Sequence, residues 1–369
     1  MFMIYQALYR KYRPQTFDDV IGQKHITSTL SNQIIANKIV HAYLFCGSRG
    51  TGKTSTAKIF AKAINCENNQ NGSPCGNCKV CTAMTDSLNM DIVEIDAASN
   101  NKVDEIRDLR EKVKFMPVNG KYKIYIIDEV HMLTDSAYNA LLKTLEEPPE
   151  HIIFILATTE PHKLPATILS RCVRFDFGLV PVEELTKHLK NIFDKEKVKY
   201  DEEALKLIAN AGEGSVRDTL SIADSVWAYC GNNITFEKVL EILSLNDNDI
   251  YINLSNALFE KDLGKCLEIV DCAYKNGKNM SVFAKDLSVH FRNLLVIKTC
   301  NEPNKILVLP ENIYQKFSAQ AEKLNSIDLM NAMKVFGNIE AELRYALSPK
   351  ILIETALVSI ISNTDLKKN

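Results

Sequence analysis

Residues Gly47-Ser48-Arg49-Gly50-Thr51-Gly52-Lys53-Thr54 fit the pattern G-x-x-x-x-G-K-[ST]. That pattern constrains a fold only inside a strand–loop–helix context, and the flanking residues supply one. Ala42 to Cys46 is a short apolar run that reads as a buried parallel strand. From Ser55 to Ile64, residues Ala57, Ile59, Phe60, Ala61 and Ala63 supply the apolar faces of a helix. The glycines let backbone N–H groups converge on phosphate oxygens, and the helix N-terminus favours negative charge. The loop and Ser55 after it are therefore the candidate cradle of a nucleoside triphosphate. Lys53 would reach the β- and γ-phosphates, and the Thr54 hydroxyl would ligate Mg²⁺.

A second strand carries the acids this chemistry needs. Lys123-Ile124-Tyr125-Ile126-Ile127-Asp128-Glu129 is apolar and ends in two carboxylates. Downstream of a phosphate loop this is the Walker B pattern, with Asp128 on Mg²⁺ and Glu129 orienting the attacking water. His131 is read as structural, because Glu129 already fills the base role. His151 to Ala157 reads as another strand, ending in Thr158-Thr159, where a hydroxyl can sense the γ-phosphate. Asp91 to Ile95 and Val173 to Phe177 complete the strands. Buried strands joined by helices imply a parallel α/β sheet with the nucleotide at its C-terminal edge.

Cys66, Cys75, Cys78 and Cys81 follow the phosphate-loop helix with the spacing C-x₈-C-x₂-C-x₂-C. Four thiolates close a tetrahedral Zn²⁺ site with no open position, the mark of a structural ion. A ferredoxin-type cluster also uses C-x₂-C-x₂-C, but continues with x₃-C-P, and Cys81 is followed by Thr82-Ala83-Met84. Zinc is preferred. Cys46, Cys172, Cys230, Cys266, Cys272 and Cys300 are scattered and read as small core residues.

At 369 residues the chain is too long for one ordinary core. The reading is three domains: 1–180 for nucleotide, with a zinc module at 66–81; a small helical lid at 181–245; and an all-helical domain at 246–369. Val20 and Ile21, in the irregular N-terminal arm, are either part of a packed strap or an apolar lid on the base. Arg217, at a helix start, could reach back to the nucleotide. The final helix, Lys350 to Ile361, is apolar almost all round and reads either as an internal core or as an oligomer core. Net charge is −2, so any contact with nucleic acid must come from a local patch or from assembly. Between Ser99 and Lys123 stand Lys102, Arg107, Arg110, Lys112, Lys114, Lys121 and Lys123. Composition favours a solvated helix there, and the alternative sets Lys102 against DNA phosphates. No apolar run approaches the roughly 20 residues of a membrane span. The first residues lack the charged and apolar regions of a secretion signal, so an intracellular protein is expected.

These motifs together resemble the bacterial DNA polymerase III gamma/tau subunits, clamp-loader ATPases of the AAA+ superfamily. The resemblance rests on Tyr12-Arg13-Pro14-Gln15-Thr16-Phe17, the phosphate loop, the four cysteines, Ile127 to Leu133, Leu141 to Pro149, Ala157-Thr158-Thr159-Glu160-Pro161, Leu169-Ser170-Arg171-Cys172 and Gly214 to Asp218. It implies an α/β AAA+ domain with a zinc insertion, a helical lid and an all-α collar. It implies that Arg171 is a finger given in trans to a neighbour's ATP, that Thr159 is the sensor threonine and that Arg217 is the second sensor. It further implies ATP, Mg²⁺ and Zn²⁺ as ligands. The implied partners are delta and delta-prime subunits, further gamma/tau copies, the beta sliding clamp and primer–template DNA, in the bacterial cytoplasm at the replisome. The DNA-facing helix would start at Asn100, Lys102 and Arg107. Activity would be ATP hydrolysis coupled to clamp loading in DNA replication; any nucleotidyltransferase activity would belong to the polymerase holoenzyme. Two other classes stand beside it. A non-hydrolysing scaffold is disfavoured by the presence of Lys53, Thr54, Asp128 and Glu129. A branch-migration motor leaves the cysteines and Ser170-Arg171-Cys172 without a role.

Overall fold

The computed structural model describes residues 6–83, 90–99, 111–243, 248–303, 306–307, 309, 311–343 and 345–366. It divides into two compact units, Met1–Val239 and Leu240–Asn369. Asn100, Lys102 and Arg107 lie outside the described residues.

The first unit is built on a five-stranded parallel sheet of β1 (Ala42–Gly47), β2 (Ile92–Asp96), β3 (Lys123–Asp128), β4 (Ile152–Thr158) and β5 (Val173–Phe177). The strands lie in the order β2-β3-β4-β1-β5. Successive side chains of a strand point to opposite faces, and helices cover both faces at the centre of the sheet, which is why β1, β3 and β4 are continuously apolar, while the edge strands β2 and β5 carry charged residues between apolar ones. Tyr43, Phe45, Ile124, Ile126, Ile153 and Ile155 form one face, packed against α1 (Lys24–Ile35) and α2 (Lys53–Asn65). Leu44, Tyr125, Ile127, Phe154 and Leu156 form the other, packed against Ala137, Tyr138, Leu141 and Leu145 of α3 (Asp135–Glu146). The arrangement is a parallel α/β sheet with a phosphate loop after its first strand. The register sets Cys46 beside Thr158 and Ile127 beside Leu156. The ends of β1, β3 and β4 therefore share one edge, where the strand order reverses and α/β sheets bind ligands.

Three helices follow: α4 (Val182–Glu196), α5 (Glu202–Ala211) and α6 (Val216–Cys230). A pair of two-residue parallel strands, Lys199–Tyr200 and Asn233–Ile234, ties their ends together, which helical periodicity could not indicate. The N-terminal arm holds a one-turn helix, Leu8–Lys11, and serves as a strap across these helices. Leu8 N donates to Asp224 at 2.8 Å, Lys11 pairs with Glu196 at 2.5 Å, and the Tyr12 hydroxyl donates to Glu196. α1 ends at Ile35, and Asn37 beyond it takes a left-handed conformation.

The second unit comprises α7 (Asn248–Phe259), α8 (Leu263–Lys275), α9 (Met280–Thr299), α10 (Glu311–Lys323), α11 (Ser326–Leu343) and α12 (Pro349–Leu366). Asp262 and Asn279 cap α8 and α9 through their side chains. Leu254, Phe283, Leu287, Phe291, Phe317, Phe336, Ile353 and Leu357 fill the core. On α12 Ile353 and Leu357 are buried, while Ile351 is 60% and Val358 40% exposed, so its apolar circumference is divided between core and surface. One expectation is corrected here. The scattered cysteines are not uniformly core. Cys46, Cys230 and Cys266 are buried, Cys172 and Cys300 are partly exposed, and Cys272 is exposed on its helix.

Candidate functional site

The phosphate loop joins β1 to α2, so the first N–H groups of α2 open onto the loop. Gly47 stands where a Cβ would lie 2.4 Å from the Phe177 carbonyl oxygen. At Gly50 φ is +77°, and a Cβ would lie 2.0 Å from Ser215 Oγ. That closeness records how the second half of the unit docks. Gly50 O accepts from Val216 N at 3.1 Å and from Arg217 N at 3.4 Å, so the N-terminus of α6 sits on the loop. Arg217 is exposed, and its guanidinium lies 5.3 Å from the centroid of the Tyr9 ring. From the same arm, Arg13 Nε donates to Ser55 Oγ at 3.1 Å.

Lys53 is buried, and its Nζ donates to the carbonyls of Gly47 and Ser48, both at 2.8 Å. Thr51 Oγ1 donates to Ser48 O at 2.8 Å, which closes the turn. Burial pulls the Lys53 ammonium below its ordinary range, while the nearby Glu129 and Asp128 carboxylates hold it up. Thr54 Oγ1 donates to Asp128 Oδ2 at 2.7 Å. A hydroxyl and a carboxylate side by side beneath a loop with a lysine are the donor set that suits a hard divalent cation and a polyphosphate. Ser48 and Arg49 are exposed on the loop. Val20 is buried beside Phe17 in the sheet-face core and reaches the foot of the loop at Gly52, and Ile21 next to it is partly exposed.

Glu129 follows Asp128 in a left-handed conformation with φ of 48°, which turns its carboxylate away from the strand direction. Oε2 accepts from Thr159 Oγ1 at 2.9 Å and from Thr159 N at 3.2 Å. Its neighbour Thr158 faces His131, with Oγ1 3.1 Å from Nδ1. The sequence pattern offered Thr158 and Thr159 as one pair; the structure gives them separate partners. Arg171 lies elsewhere, at the end of α3: it donates to Glu146 Oε1 at 2.8 Å and to Thr167 O at 2.9 Å.

The four cysteines converge as their spacing requires. All four Sγ atoms lie within 4.8 Å of one another, with Cys66–Cys78 and Cys75–Cys81 each at 4.0 Å. A tetrahedron of thiolates around Zn²⁺ has S–S edges of about 3.8 Å, so the residues fit that ion. Backbone N–H groups of Cys75, Cys78 and Cys81 point at the sulfurs of Cys66, Cys75 and Cys78, at 3.3, 3.3 and 3.4 Å. Burial raises the Cys66 and Cys81 thiols, whereas at Cys78 the backbone N–H donors and neighbouring thiols outweigh burial and lower the thiol to about 6.

Some supports carried no sequence signal. The buried Asp91 carboxylate accepts from Val118, Asn119 and Gly120 N–H at 2.6, 2.6 and 2.8 Å. Asn65, at the end of α2, donates to Tyr122 O and accepts from Tyr122 N, both at 2.8 Å. Both brace the entry to β3, and neither contact follows from periodicity.

Three family models match the chain in succession: DNA polymerase III, delta subunit, over 22–180; DNA polymerase III clamp loader subunit, ATPase lid domain, over 184–232; and DNA polymerase III subunits gamma and tau domain III, over 234–369. DNA polymerase III subunit tau of Bacillus subtilis is 45% identical over 97% of this chain and 63% of its own length. DNA polymerase III subunit tau of Escherichia coli is 45% identical over 74% of this chain and 43% of its own. DNA polymerase III subunit gamma of Buchnera aphidicola is 36% identical over 98% of this chain and 99% of its own length. The chain thus spans less than two-thirds of the two tau relatives and nearly all of the gamma one.

Proposed function

The chain belongs to the gamma/tau family of DNA polymerase III subunits, and on that premise we propose that it binds and hydrolyses ATP as a motor subunit of a bacterial clamp loader. The observation that carries this reading is the convergence on one sheet edge of Lys53, the Thr54–Asp128 pair and the Thr159-held Glu129.

In this reading the loop from Gly47 to Thr54, with Ser55, cradles the phosphates, and Val20 and Ile21 border the base. Lys53 leaves its two carbonyl partners for the β- and γ-phosphates. Thr54 and Asp128 would hold Mg²⁺, which when bound neutralises charge on the phosphate oxygens. Glu129 takes a proton from a water as the water's oxygen attacks the γ-phosphorus; the bond to the bridging oxygen breaks, and ADP and phosphate leave. Thr159 keeps the Glu129 carboxylate in place, so both residues belong to the hydrolytic set. Arg217 would follow nucleotide occupancy through its position beside Gly50. Arg171, surface-held by Glu146, is available to a neighbouring copy and would act on that copy's ATP.

Cys66, Cys75, Cys78 and Cys81 would hold a structural Zn²⁺, supported by the sulfur geometry. Membership of the family supports a clamp-loader assembly. The finer partners proposed are delta and delta-prime subunits, further gamma/tau copies, the beta sliding clamp and primer–template DNA, with the protein in the bacterial cytoplasm. Among the described residues no helix is long and apolar enough to cross a membrane.

The test is ATP turnover by the chain, alone and reconstituted with delta, delta-prime, clamp and primed DNA. Slow turnover alone, stimulated by clamp and DNA, is expected. A Lys53→Ala variant that loaded clamps as well as the parent would sink the motor role and leave a scaffold.

A further inference from the structure

His131 is packed against the hydrolytic acid, and Glu129 as general base gives it no task. Its side chain is only 6% exposed, yet both ring nitrogens face acids. Nδ1 lies 3.4 Å from Glu129 Oε2 and 3.1 Å from Thr158 Oγ1. Nε2 lies 3.5 Å from Glu160 Oε1. Glu160 is itself held: its backbone N donates to Thr158 Oγ1 at 3.0 Å, and its carboxylate pairs with Lys163 at 2.7 Å and lies 3.6 Å from His162. Two adjoining turns supply this array. His131 sits in the turn Val130–Met132 after β3, and Glu160 precedes the turn Pro161–Lys163 after β4.

A neutral packing residue has no need of this arrangement. A buried polar ring costs free energy unless its nitrogens are satisfied, and any apolar residue of similar volume would fill the space without that cost. The nitrogens instead span the carboxylate that would activate water and a second carboxylate on the segment leading to Arg171. Thr159 grips Glu129 Oε2 from the same segment. Glu129 is thus hydrogen-bonded by Thr159 and flanked by His131, whose ring is placed by Thr158 on one side and faces Glu160 on the other.

We infer that His131 is a positioning residue for Glu129, and that Glu160 makes the set of that carboxylate depend on the segment 159–163. The inference rests on the ATPase reading above. It predicts a loss in the chemical step and not in nucleotide affinity, since His131 and Glu160 bear on Glu129 and not on a residue of the phosphate loop.

The experiment compares kcat and ATP affinity for the chain reconstituted with its partners, in the parent and in His131→Ala, His131→Asn, Glu160→Gln and the His131→Ala/Glu160→Gln double variant. His131→Ala is expected to lower kcat by about tenfold or more with ATP affinity unchanged within about twofold, because misplacing a catalytic group acts on the transition state. His131→Asn places an amide near the Nδ1 position and so is expected to recover most of the turnover. Glu160→Gln is expected to lower kcat about threefold in the parent and to have no further effect in His131→Ala, because the two act through one contact. Glu160 is partly exposed and its replacement leaves the packing of β4 intact, so that variant reports even if His131→Ala fails to fold. Unchanged kcat in Glu160→Gln, or additive losses in the double variant, would overturn the inference. A parent chain without turnover under any condition would overturn the ATPase reading first and this one with it; normal parent turnover retained by His131→Ala would overturn this one alone.

Discussion

Gly50 shows at a single residue how the phosphate loop and the N-terminus of α6 are joined. Its left-handed φ and the 2.0 Å approach of Ser215 Oγ leave no room for a methyl group. Gly50→Ala should therefore push the N-terminus of α6 off the loop, and we expect at least about tenfold weaker ATP binding with the sheet intact; titration with a fluorescent ATP analogue measures it. Thr159→Val keeps the volume and the backbone N–H but removes the hydroxyl that Glu129 accepts from. Turnover should fall about tenfold or more while ATP binding holds, as a single-turnover assay would reveal. Lys53 is different in kind, since its ammonium, buried against two carbonyls and facing two acids, has few other partners to offer a phosphate.

At the scale of elements, the proposed Zn²⁺ makes the cysteine module a testable piece. Its four sulfurs come from the residue after α2 and from the turn and short helix that follow, a stretch with little apolar content to hold it. One Zn²⁺ per chain is expected by metal analysis, and chelation or Cys78→Ser should release it and lower the melting temperature of the first unit. The helical second unit carries a different sensitivity. His290 is buried among Tyr251, Phe291 and Phe317, and burial lowers its pKa from 6.5 to about 4. The unfolded chain therefore binds the proton first. The stability this residue protects is intact above about pH 6.5 and is lost as pH falls toward 4, about 3 kcal/mol in all. Denaturant unfolding across that range should show the slope, and His290→Phe should flatten it.

On the scale of the whole molecule, the reading depends on more than one copy. Arg171 is tied to Glu146 and Thr167 on the surface, and Lys53, Asp128 and Glu129 are gathered at another place. If Arg171 serves a neighbour, Arg171→Ala should leave ATP binding unchanged and remove most of the clamp- and DNA-stimulated hydrolysis, by a factor of about 10³. Stimulated turnover equal to the parent's would rule out that role. The exposed Ile351 and Val358 on α12 fit the same picture of a unit whose apolar surface is not fully enclosed in one chain.

Motifs with fixed local geometry could be read from the residues alone. The phosphate loop, the acid pair after an apolar strand and the closely spaced cysteines each do their work within a few residues, so spacing carries the chemistry. The central strands were equally legible, because burial on both faces demands continuous apolar runs, whereas the edge strands β2 and β5 show the alternation of a partly exposed strand. What only the tertiary structure decided are the contacts between residues far apart in the chain. The grip of Thr159 and His131 on Glu129, the seat of α6 on Gly50, the strap from Leu8 to Asp224 and the threefold cap on Asp91 all depend on strand order and on how helices lie across the sheet. Those are set by packing of the whole unit, and a local pattern of residue types cannot encode them.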